Sequence, residues 1–515
     1  MKTSCAIPSP ARRRVAPPLA TLGLSVSLAL AGCAAVGPDF KPPDLPAAAQ
    51  GADYTATPLP ATTAQAPVAG GAAQQWVAGA DIPAQWWSVF QSTALDALIR
   101  DALARSPTLA AAQATLRQAQ ENLAAQQGKL TLPSVDAQLG AERERASAVQ
   151  TQKAGGQLLT LFNAQVNVSY NVDLFGSVRR QLEGAQAQVD AQRLQLEATQ
   201  LMLVGNLVTT AIREAGLRAQ LQATREVLQA QQDQLDILQK QFDTGATPRS
   251  TVLAQQTQVA QTQASLPALD KTLAQTRHQL AVYAGRLPSE PDLPAFTLAD
   301  LHLPQTLPLS LPSDLARQRP DVRAAEALLH QASAQVGVAT ANLYPQIQLS
   351  ATLGSTALEL SDLFKGPWAF WSLAAGLTQP LFHGDALNAQ RRAAIAGFDA
   401  AAAQYQGTLL VAFQNVADAL RALQFDADTL AAQAQAEGAA RQSLQISTAQ
   451  YQNGAVSYVQ LLSAQQAWLQ THTALAQAQA ARYADTAALF QALGGGWWNQ
   501  AAQSEAVAAS VSQQK

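Results

Sequence analysis

The chain has little charge, few cysteines and no long hydrophobic run after its amino terminus. Charged residues make up 13% of its 515 residues and the net charge is −3, so it has no basic excess for binding nucleic acid. Its apolar share of 48% argues against acidic disorder, and two cysteines exclude a disulfide scaffold. The lack of further apolar runs of about 18 residues argues against several transmembrane helices. Alanine and uncharged glutamine are abundant instead.

Residues 1–32 are predicted to be a lipoprotein signal peptide. Three arginines at positions 12–14 precede an apolar stretch, Leu19–Leu30, that is too short to span a bilayer. It ends in Leu30-Ala31-Gly32-Cys33, which is similar to a bacterial lipobox. The similarity implies cleavage after Gly32 and a covalent lipid on Cys33, since two or three acyl chains hold a protein on a membrane where one does not. An ordinary signal peptide that contains a cysteine is the alternative.

Residues 33–85 are predicted to form the acylated amino terminus and an extended linker. Ala34 stands where inner-membrane lipoproteins typically carry aspartate, which favours the outer membrane. Residues Pro42–Gln75 are rich in proline, alanine, glycine and threonine, a composition typical of linkers. With Cys33 acylated the mature chain has no free thiol, so catalysis by cysteine is excluded.

The body of the chain is a duplication. Asp173–Gly176 corresponds to Pro380–Gly384, and Gln241–Ala246 corresponds to Gln450–Ala455. We therefore predict two repeats, at 86–285 and 312–497, each with one helix, two strands and two helices. A connection at 286–311 joins them, and residues 498–515 are predicted to be a disordered tail.

Each repeat contains two segments in which apolar and polar residues alternate. They are Val135–Leu139 and Phe162–Leu174 in the first repeat, and Ile347–Leu353 and Trp371–Leu377 in the second. Strands of about ten residues with this period fit a membrane β-barrel, but they also fit a soluble β-sandwich.

The number of strands limits these alternatives. Four strands cannot close a barrel, and an open sheet edge in lipid leaves unpaired backbone groups. Either the strands lie outside the membrane or several chains pool them. Three chains would supply twelve strands, enough for a water-filled bore.

Two proline-free stretches, Phe175–Phe242 and Asp385–Tyr451, predict unusually long helices. The first would be roughly 100 Å long at 1.5 Å per residue. Core residues recur at every seventh position, which is typical of coiled-coil packing in either a plain scaffold or a channel wall. They are Leu182, Val189, Leu196, Leu203, Leu221, Leu228, Leu235 and Phe242, followed by Val252, Val259, Leu266, Leu273 and Leu280.

A turn is predicted after each long helix. Gly245 suits the left-handed position after a helix end, Thr247 suits an N-cap, and Pro248 suits the first position of the next helix. Asn453 and Gly454 play the same part in the second repeat.

Taken together, these motifs resemble the OprM/NodT-type outer-membrane efflux lipoproteins, a branch of the TolC-like channels. The matching segments are Cys33–Phe40, Trp86–Phe90, Asp173–Gly176, Gln318–Glu326, Gly366–Trp368, Gln379–Phe382, Tyr451–Gly454, Leu461–Gln465 and Ala492–Trp497. The resemblance implies a mainly α protein with β structure. It also implies a TolC-like trimer with a long coiled-coil helical barrel in the periplasm and one twelve-stranded outer-membrane β-barrel, four strands from each chain. An equatorial belt would come from the termini and the connection at 286–311.

The resemblance also implies a function. We expect a passive outer-membrane channel of a tripartite efflux system that passes small toxic compounds from the periplasm to the exterior. Its partners would be two further copies of the chain, a periplasmic adaptor protein, an inner-membrane pump and outer-membrane lipid. The alternatives are a channel for type I protein secretion and a non-conducting, lipid-anchored coiled-coil scaffold. We find no nucleophile or base arrangement and no metal-ligand spacing among the five histidines, so we expect neither an enzyme nor a cofactor.

The candidate functional site is the periplasmic tip, where the hairpin turns would close the tunnel at rest and open on docking. Its residues are Phe242, Asp243, Gly245, Thr247 and Arg249 in the first repeat, and Tyr451, Gly454, Val456, Ser457 and Tyr458 in the second. Some relatives carry carboxylates near the second turn, but the segment from Gly454 to Tyr458 has none, which puts a carboxylate gate there in doubt. Asp243 and Arg249 either supply charge at the tip or are solvated turn residues. We expect Val456 and Tyr458 to help form the constriction.

Overall fold

A computed structural model describes residues 35–44, 54–146, 157–290, 292–310 and 312–499. The predicted signal peptide, Cys33 and all but the first two residues of the predicted tail lie outside these ranges. In chain order the helices are α1 (Thr93–Arg105), α2 (Pro107–Thr131), α3 (Ser177–Asp243), α4 (Arg249–Tyr283), α5 (Pro312–Gln318), α6 (Pro320–Ala341), α7 (Ala386–Gln452) and α8 (Tyr458–Ala492). The strands are β1 (Gln75–Ala78), β2 (Ser134–Ala146), β3 (Gln157–Val172), β4 (Thr306–Leu309), β5 (Gln346–Ala357) and β6 (Ala369–Thr378).

The order helix, two strands and two helices occurs twice along the chain, as α2-β2-β3-α3-α4 and as α6-β5-β6-α7-α8. The chain divides into two compact units. Among the described residues, one contains the sheet and the segments next to it, residues 35–40, 122–186 and 330–398. The other contains the remaining chain. It includes most of the two helical hairpins, the first formed by α3 and α4 and the second by α7 and α8.

The helices α3 and α7 are each 67 residues long and continuous, as the lack of proline predicts. The most deeply buried stretch of α3 runs from Leu207 to Ala215. Gly216 lets α3 approach α8 closely. A Cβ at this position would lie only 2.5 Å from the Cβ of Ala480 in α8, which is too close for any larger residue without a shift. Within the described ranges no helix has both the length and the hydropathy needed to span a membrane.

The predicted core, made of residues at every seventh position, is confirmed for some of its members. Val189, Leu203, Leu221, Val252, Val259 and Leu280 are buried. The other leucines of that set are half-buried, and Phe242 is exposed. The burial of Gln255 and Thr262 in α4 shows that the position three residues after each core valine also faces inward, where the helix carries polar side chains.

The strands are longer than predicted and form one antiparallel sheet in the order β2-β3-β5-β6. The predicted end of β3 at Leu174 is wrong, since the strand stops at Val172. The reason is that Asp173 serves the next helix: its carboxylate accepts hydrogen bonds from the backbone N–H groups of Val178 and Arg179, both at 3.0 Å. A carboxylate at the start of a helix satisfies N–H groups that have no partner within the helix.

The register of this sheet aligns like residues across all four strands. One row joins Val135, Val168, Ala351 and Leu373, and the next joins Asp136, Asn167, Thr352 and Ser372. Because side chains alternate between the two faces of a strand, successive rows give the sheet one apolar face and one polar face. The polar face has its own hydrogen bonds, such as Thr352 Oγ1 to Asn167 Oδ1 at 2.9 Å.

The amino-terminal segment from 54 to 74, here called the strap, lies within the predicted extended linker and is fixed to the helices at several points. Its backbone pairs across a hairpin, with Thr63 N–H donating to Gln74 O at 3.0 Å. The fully buried Arg482 of α8 donates to Thr63 Oγ1, to Ala72 O and to Leu423 O of α7. The strap continues into β1, which pairs in parallel with β4. A guanidinium with several rigid donors therefore fixes a segment whose own sequence has no helix or strand pattern.

Candidate functional site: the turns of the two helical hairpins

The two hairpin turns have the same backbone geometry. Gly245 and Gly454 have φ angles of +77° and +70°, the left-handed region in which glycine avoids the penalty of a side chain. In the first turn Gly245 N–H donates to Phe242 O and Ala246 N–H donates to Gln241 O. The corresponding pairs in the second turn are Gly454 with Tyr451 and Ala455 with Gln450. This is the Schellman arrangement, and it confirms the predicted position of both glycines.

The predicted start of α4 is one residue too early. Pro248, predicted as the first helical residue with Thr247 as the N-cap, is itself the N-cap, with φ −74° and ψ +152°. Its ring has no oxygen to accept from the helix, and no side-chain cap is present. Ser457 occupies the same place before α8, and its hydroxyl accepts from Gln460 N–H at 3.4 Å. The extended ψ places the helix start after the proline rather than at it.

Tyr458 connects the two hairpins. Its hydroxyl donates to Oε1 of Gln255 in α4, and its ring packs edge-on against Tyr451 with centroids 5.8 Å apart. Gln255 is fully buried, and its Nε2 donates to the backbone oxygen of Gln231 in α3 at 2.7 Å. One glutamine side chain therefore links α3, α4 and α8 just above the turns.

The protonation state of this contact does not change near neutral pH. Burial, and second the neighbouring Tyr451, raise the pKa of the Tyr458 phenol well above its ordinary value. The hydroxyl therefore keeps its proton and remains a donor. Because the acceptor is a neutral amide, the link does not depend on an ionised carboxylate.

The other predicted residues lie around the turns. Val456 is half-buried, as is Thr247, while Phe242 and Arg249 are exposed. Asp243 accepts from Gln239 Nε2 at 3.0 Å within α3, which is the behaviour of a solvated helix-end residue.

Sequence reasoning did not single out Gln255 or Gln231. The available signal was the position of Gln255, which lies three residues after Val252 in the heptad of α4, where a coiled coil normally carries an apolar residue. A glutamine buried there needs partners for its amide, and Tyr458 and Gln231 supply them.

Polar contacts between the hairpins continue along α8, and we call this set the polar seam. After Tyr458–Gln255 come Gln466 with Gln258 at 3.0 Å, His472 with Glu226 at 3.3 Å and Gln477 with Gln220 at 3.1 Å. In the part of the chain that the structure describes, no group of three or more histidine, cysteine or acidic side chains is arranged to hold a metal ion. The seam therefore holds the hairpins together through two amide–amide hydrogen bonds, one phenol–amide hydrogen bond and one histidine–carboxylate contact.

Comparison with known proteins agrees with this architecture. The profile of the family described as Outer membrane efflux protein matches residues 98–286 and 311–495. The pyoverdine export outer membrane protein OpmQ of Pseudomonas putida is 32% identical over 86% of this chain and 94% of its own length. The toluene efflux pump outer membrane protein TtgC of P. putida is 28% identical over 94% of this chain and 96% of its own.

A solved structure extends the likeness to the fold. The outer-membrane channel OprN superimposes with a TM-score of 0.80 and 27% identity, covering 90% of this chain and 99% of that one. The resemblance inferred from the sequence motifs is thereby confirmed, as is the predicted combination of long helices with a β domain. This chain belongs to the outer membrane efflux protein family, as an outer-membrane channel component that extends into the periplasm.

Proposed function

We propose that three copies of the chain form the passive outer-membrane conduit of a tripartite efflux system. The observation that carries the proposal is the four-stranded sheet, in which β2 and β6 each have one edge without a partner in the described chain. Unpaired backbone groups cannot face lipid. Pooling the strands of three chains, edge to edge, gives a closed twelve-stranded barrel with a water-filled bore.

The side chains of the sheet support a membrane location. Leu139, Trp371 and Leu373 lie on the apolar rows and are 78%, 77% and 76% exposed in the single chain. Apolar area of this kind is stable only when covered, and lipid is the cover that a barrel exterior meets. The polar face, with its asparagine, glutamine and threonine side chains, would line the bore. A non-conducting coiled-coil scaffold does not account for these two faces.

The cargo we propose is small toxic compounds, handed over by an inner-membrane pump through a periplasmic adaptor. The matched relatives are named for pyoverdine export and for toluene efflux, two different cargoes. The polar face carries mostly uncharged side chains, with acidic residues such as Asp136 on β2, and a bore of this kind suits varied solutes. The energy for transport would be supplied at the inner membrane, so no catalytic group is needed here.

We propose that the paired turns form the resting gate and that the Tyr458–Gln255 contact holds it shut. Tyr458→Phe removes the hydroxyl but keeps the ring against Tyr451, so it should raise the resting conductance of the purified protein in a planar bilayer severalfold. Tyr483→Phe is the matched control, because it removes one hydroxyl hydrogen bond, to Leu301 O at 3.3 Å, elsewhere on α8. Equal resting conductance in the wild type and Tyr458→Phe would contradict the gate. Replacing both Val456 and Tyr458 with glycine tests whether these side chains form the constriction. If the conductance is unchanged, the constriction lies elsewhere.

The assembly and its role have separate tests. Outer-membrane fractions should contain a heat-modifiable trimer that conducts ions in a bilayer, and a monomer without conductance would refute the channel. Co-purification should recover an adaptor and an inner-membrane drug or solvent pump. Recovery of a protein-exporting transporter instead would favour type I secretion, the alternative function.

We further propose that Cys33 carries the lipid anchor. The described chain begins two residues later, at Ala35, and this beginning is held in place: Val36 N–H donates to Phe175 O at 3.0 Å, and Asp39 pairs with Arg180 at 2.7 Å. Phe175 follows β3, so Val36, three positions after Cys33 in the sequence, lies next to the end of this strand. Cys33→Ser should abolish labelling by radioactive palmitate, and labelling that persists would refute the anchor.

A further inference from the structure

His472, in the middle of α8, lies between two carboxylates from two other helices. Its Nε2 is 3.3 Å from Glu226 Oε2 of α3 and its Nδ1 is 3.3 Å from Glu437 Oε1 of α7. Its ring stacks on Trp468, with centroids 5.3 Å apart and an interplanar angle of 24°. The contact joins the first hairpin, through α3, to both helices of the second.

Both carboxylates are held in place by other groups. Glu226 accepts from Gln222 Nε2 at 2.8 Å, and Glu437 accepts from the indole N–H of Trp468 at 3.2 Å. Glu437 is also buried, with 9% of its side chain exposed. The basic residues closest to the two carboxylates along their own helices are Arg225, which pairs with Asp270 of α4 at 3.5 Å, and the exposed Arg441. Among the described residues, neither arginine forms an ion pair with Glu226 or Glu437.

A neutral imidazole cannot satisfy this arrangement. It has one N–H donor and one acceptor nitrogen, so an Nε2–H that donates to Glu226 leaves the Nδ1 lone pair facing the Glu437 carboxylate. Nδ1 forms no hydrogen bond with Glu437 at this 3.3 Å distance, so the contact between them is electrostatic. A protonated ring carries a positive charge, so Glu226 then accepts from a charged donor and Glu437 has a cation 3.3 Å away.

The other three contacts of the polar seam involve only amides and a phenol that keeps its proton. The contact at His472 is the one contact of the seam that contains an imidazole, the side-chain type that proteins use as a pH switch.

We propose that His472, Glu226 and Glu437 form a proton-dependent clasp that joins the two hairpins and favours the closed tunnel when His472 is protonated. The proposal rests on the proposed function, because it concerns regulation of the same gate. Opening moves one hairpin against the other, so a stronger link between α3 and α8 opposes it. An acidic periplasm would then keep idle channels shut.

The first test is the open probability of the channel in planar bilayers at about pH 7.5 and about pH 5.5, on either side of the ordinary histidine range. We expect about a tenfold fall at the lower pH, equivalent to about 1.4 kcal/mol shared by three clasps. His472→Gln, which keeps a polar side chain without titrating, should lose the fall. His278→Gln replaces an exposed histidine of α4 and should retain it. A His472→Gln channel that responds to pH like the wild type would overturn the clasp.

A second measurement does not depend on conduction. Spin labels on cysteines that replace the exposed Ser250 and Gln460, in a background where Cys5 and Cys33 are both serine, report the distance between the hairpins near their turns. With His472 present the distance distribution should narrow at the lower pH, and with His472→Gln it should not change. Absence of conductance at every pH would refute the proposed channel. The spin-label distances would still show whether the clasp forms, because they do not depend on conduction. Equal distributions at the two pH values with His472 present would refute the clasp alone.

Discussion

Arg482→Met tests whether the buried guanidinium holds the strap against α7 and α8. Methionine has nearly the reach of arginine but cannot donate hydrogen bonds, so it removes the donors while filling much of the same space. Ala72 O, which accepts at 3.2 Å, loses its partner. Leu423 O, which accepts at 3.1 Å, lies inside α7 and keeps the helical N–H four residues later. Thr63 Oγ1 keeps a second partner, the backbone N–H of Gln74 at 2.9 Å.

The magnitude follows from the three hydrogen bonds that the guanidinium donates. A buried acceptor left without a partner, Ala72 O, costs about 1–3 kcal/mol, and each of the other two lost bonds costs about 0.5–1.5 kcal/mol, so the three together cost about 2–6 kcal/mol. Part of this is offset because burial disfavours the charged guanidinium, which lowers the pKa of Arg482. We expect a net loss of about 3 kcal/mol, concentrated in the strap and its contacts with the two helices.

The assay is amide hydrogen exchange of the purified, folded protein, read by mass spectrometry on peptides that cover the strap. The N–H groups of Thr63 and Ala66, which donate to Gln74 O and Gly71 O, report its opening. A loss of about 3 kcal/mol speeds their exchange by about 100-fold. Peptides from the hairpin turns should exchange as in the wild type, because the strap does not contact them.

Arg441→Met is the control, since Arg441 is exposed on α7 and its replacement should leave strap exchange unchanged. If Arg482→Met left the strap amides within about twofold of the wild type, equivalent to less than about 0.5 kcal/mol, the reasoning from buried hydrogen bonds would be refuted. The strap would then be held by its apolar contacts, such as Ala66 against Leu430 and Leu475.

Two further predictions concern the backbone and a buried carboxyl. Gly454→Ala should lower the stability of the second hairpin by about 1 kcal/mol, because alanine is strained at a positive φ although the space around the residue is open. Gly438→Ala, inside α7 and also in open space, should raise the stability by a similar amount, because alanine favours a helix more than glycine does. Equal shifts of the denaturant midpoint in the two variants would contradict the left-handed role of Gly454. Burial first, and then a hydrogen bond with Asp426, raise the pKa of Asp485 from 3.8 to about 8, so the folded chain holds a proton there that the unfolded chain releases. Wild-type stability should therefore fall as pH rises from about 4 to about 8, by up to about 1.4 kcal/mol per pH unit. Asp485→Asn should remove that fall in thermal unfolding, and a variant with the same pH dependence as the wild type would contradict it.

The features that the sequence predicts well are those set by local rules. A 67-residue helix needs only the absence of proline and a continuous apolar stripe, and both can be read directly for α3 and α7. The two faces of the sheet follow from strict alternation, because side chains of a strand point to opposite sides. The glycines of the turns follow from the left-handed conformation that ends a helix.

The features that the sequence does not predict depend on partners far away in the chain. Arg482 is one arginine in an alanine-rich helix until the strap supplies Thr63 and Ala72 as acceptors. His472 has no metal-ligand spacing and looks like a surface residue, because its carboxylates come from positions 226 and 437. Local errors have a similar origin: the end of β3 was missed because alternation continues through Asp173, whose side chain instead serves the next helix.

The bond between Arg482 and Thr63 also constrains when the protein can fold, since 419 positions separate the two residues. A chain that crosses the inner membrane from its amino terminus delivers the strap first and its docking surface on α8 last. The earliest segment must therefore wait, unpacked, until nearly all of the polypeptide has been exported. Contacts of such long sequence separation close slowly, and meanwhile the apolar strand faces remain uncovered and prone to aggregate. The architecture thus leaves these surfaces exposed for almost the whole of translocation, the period in which binding to a chaperone would protect the chain most.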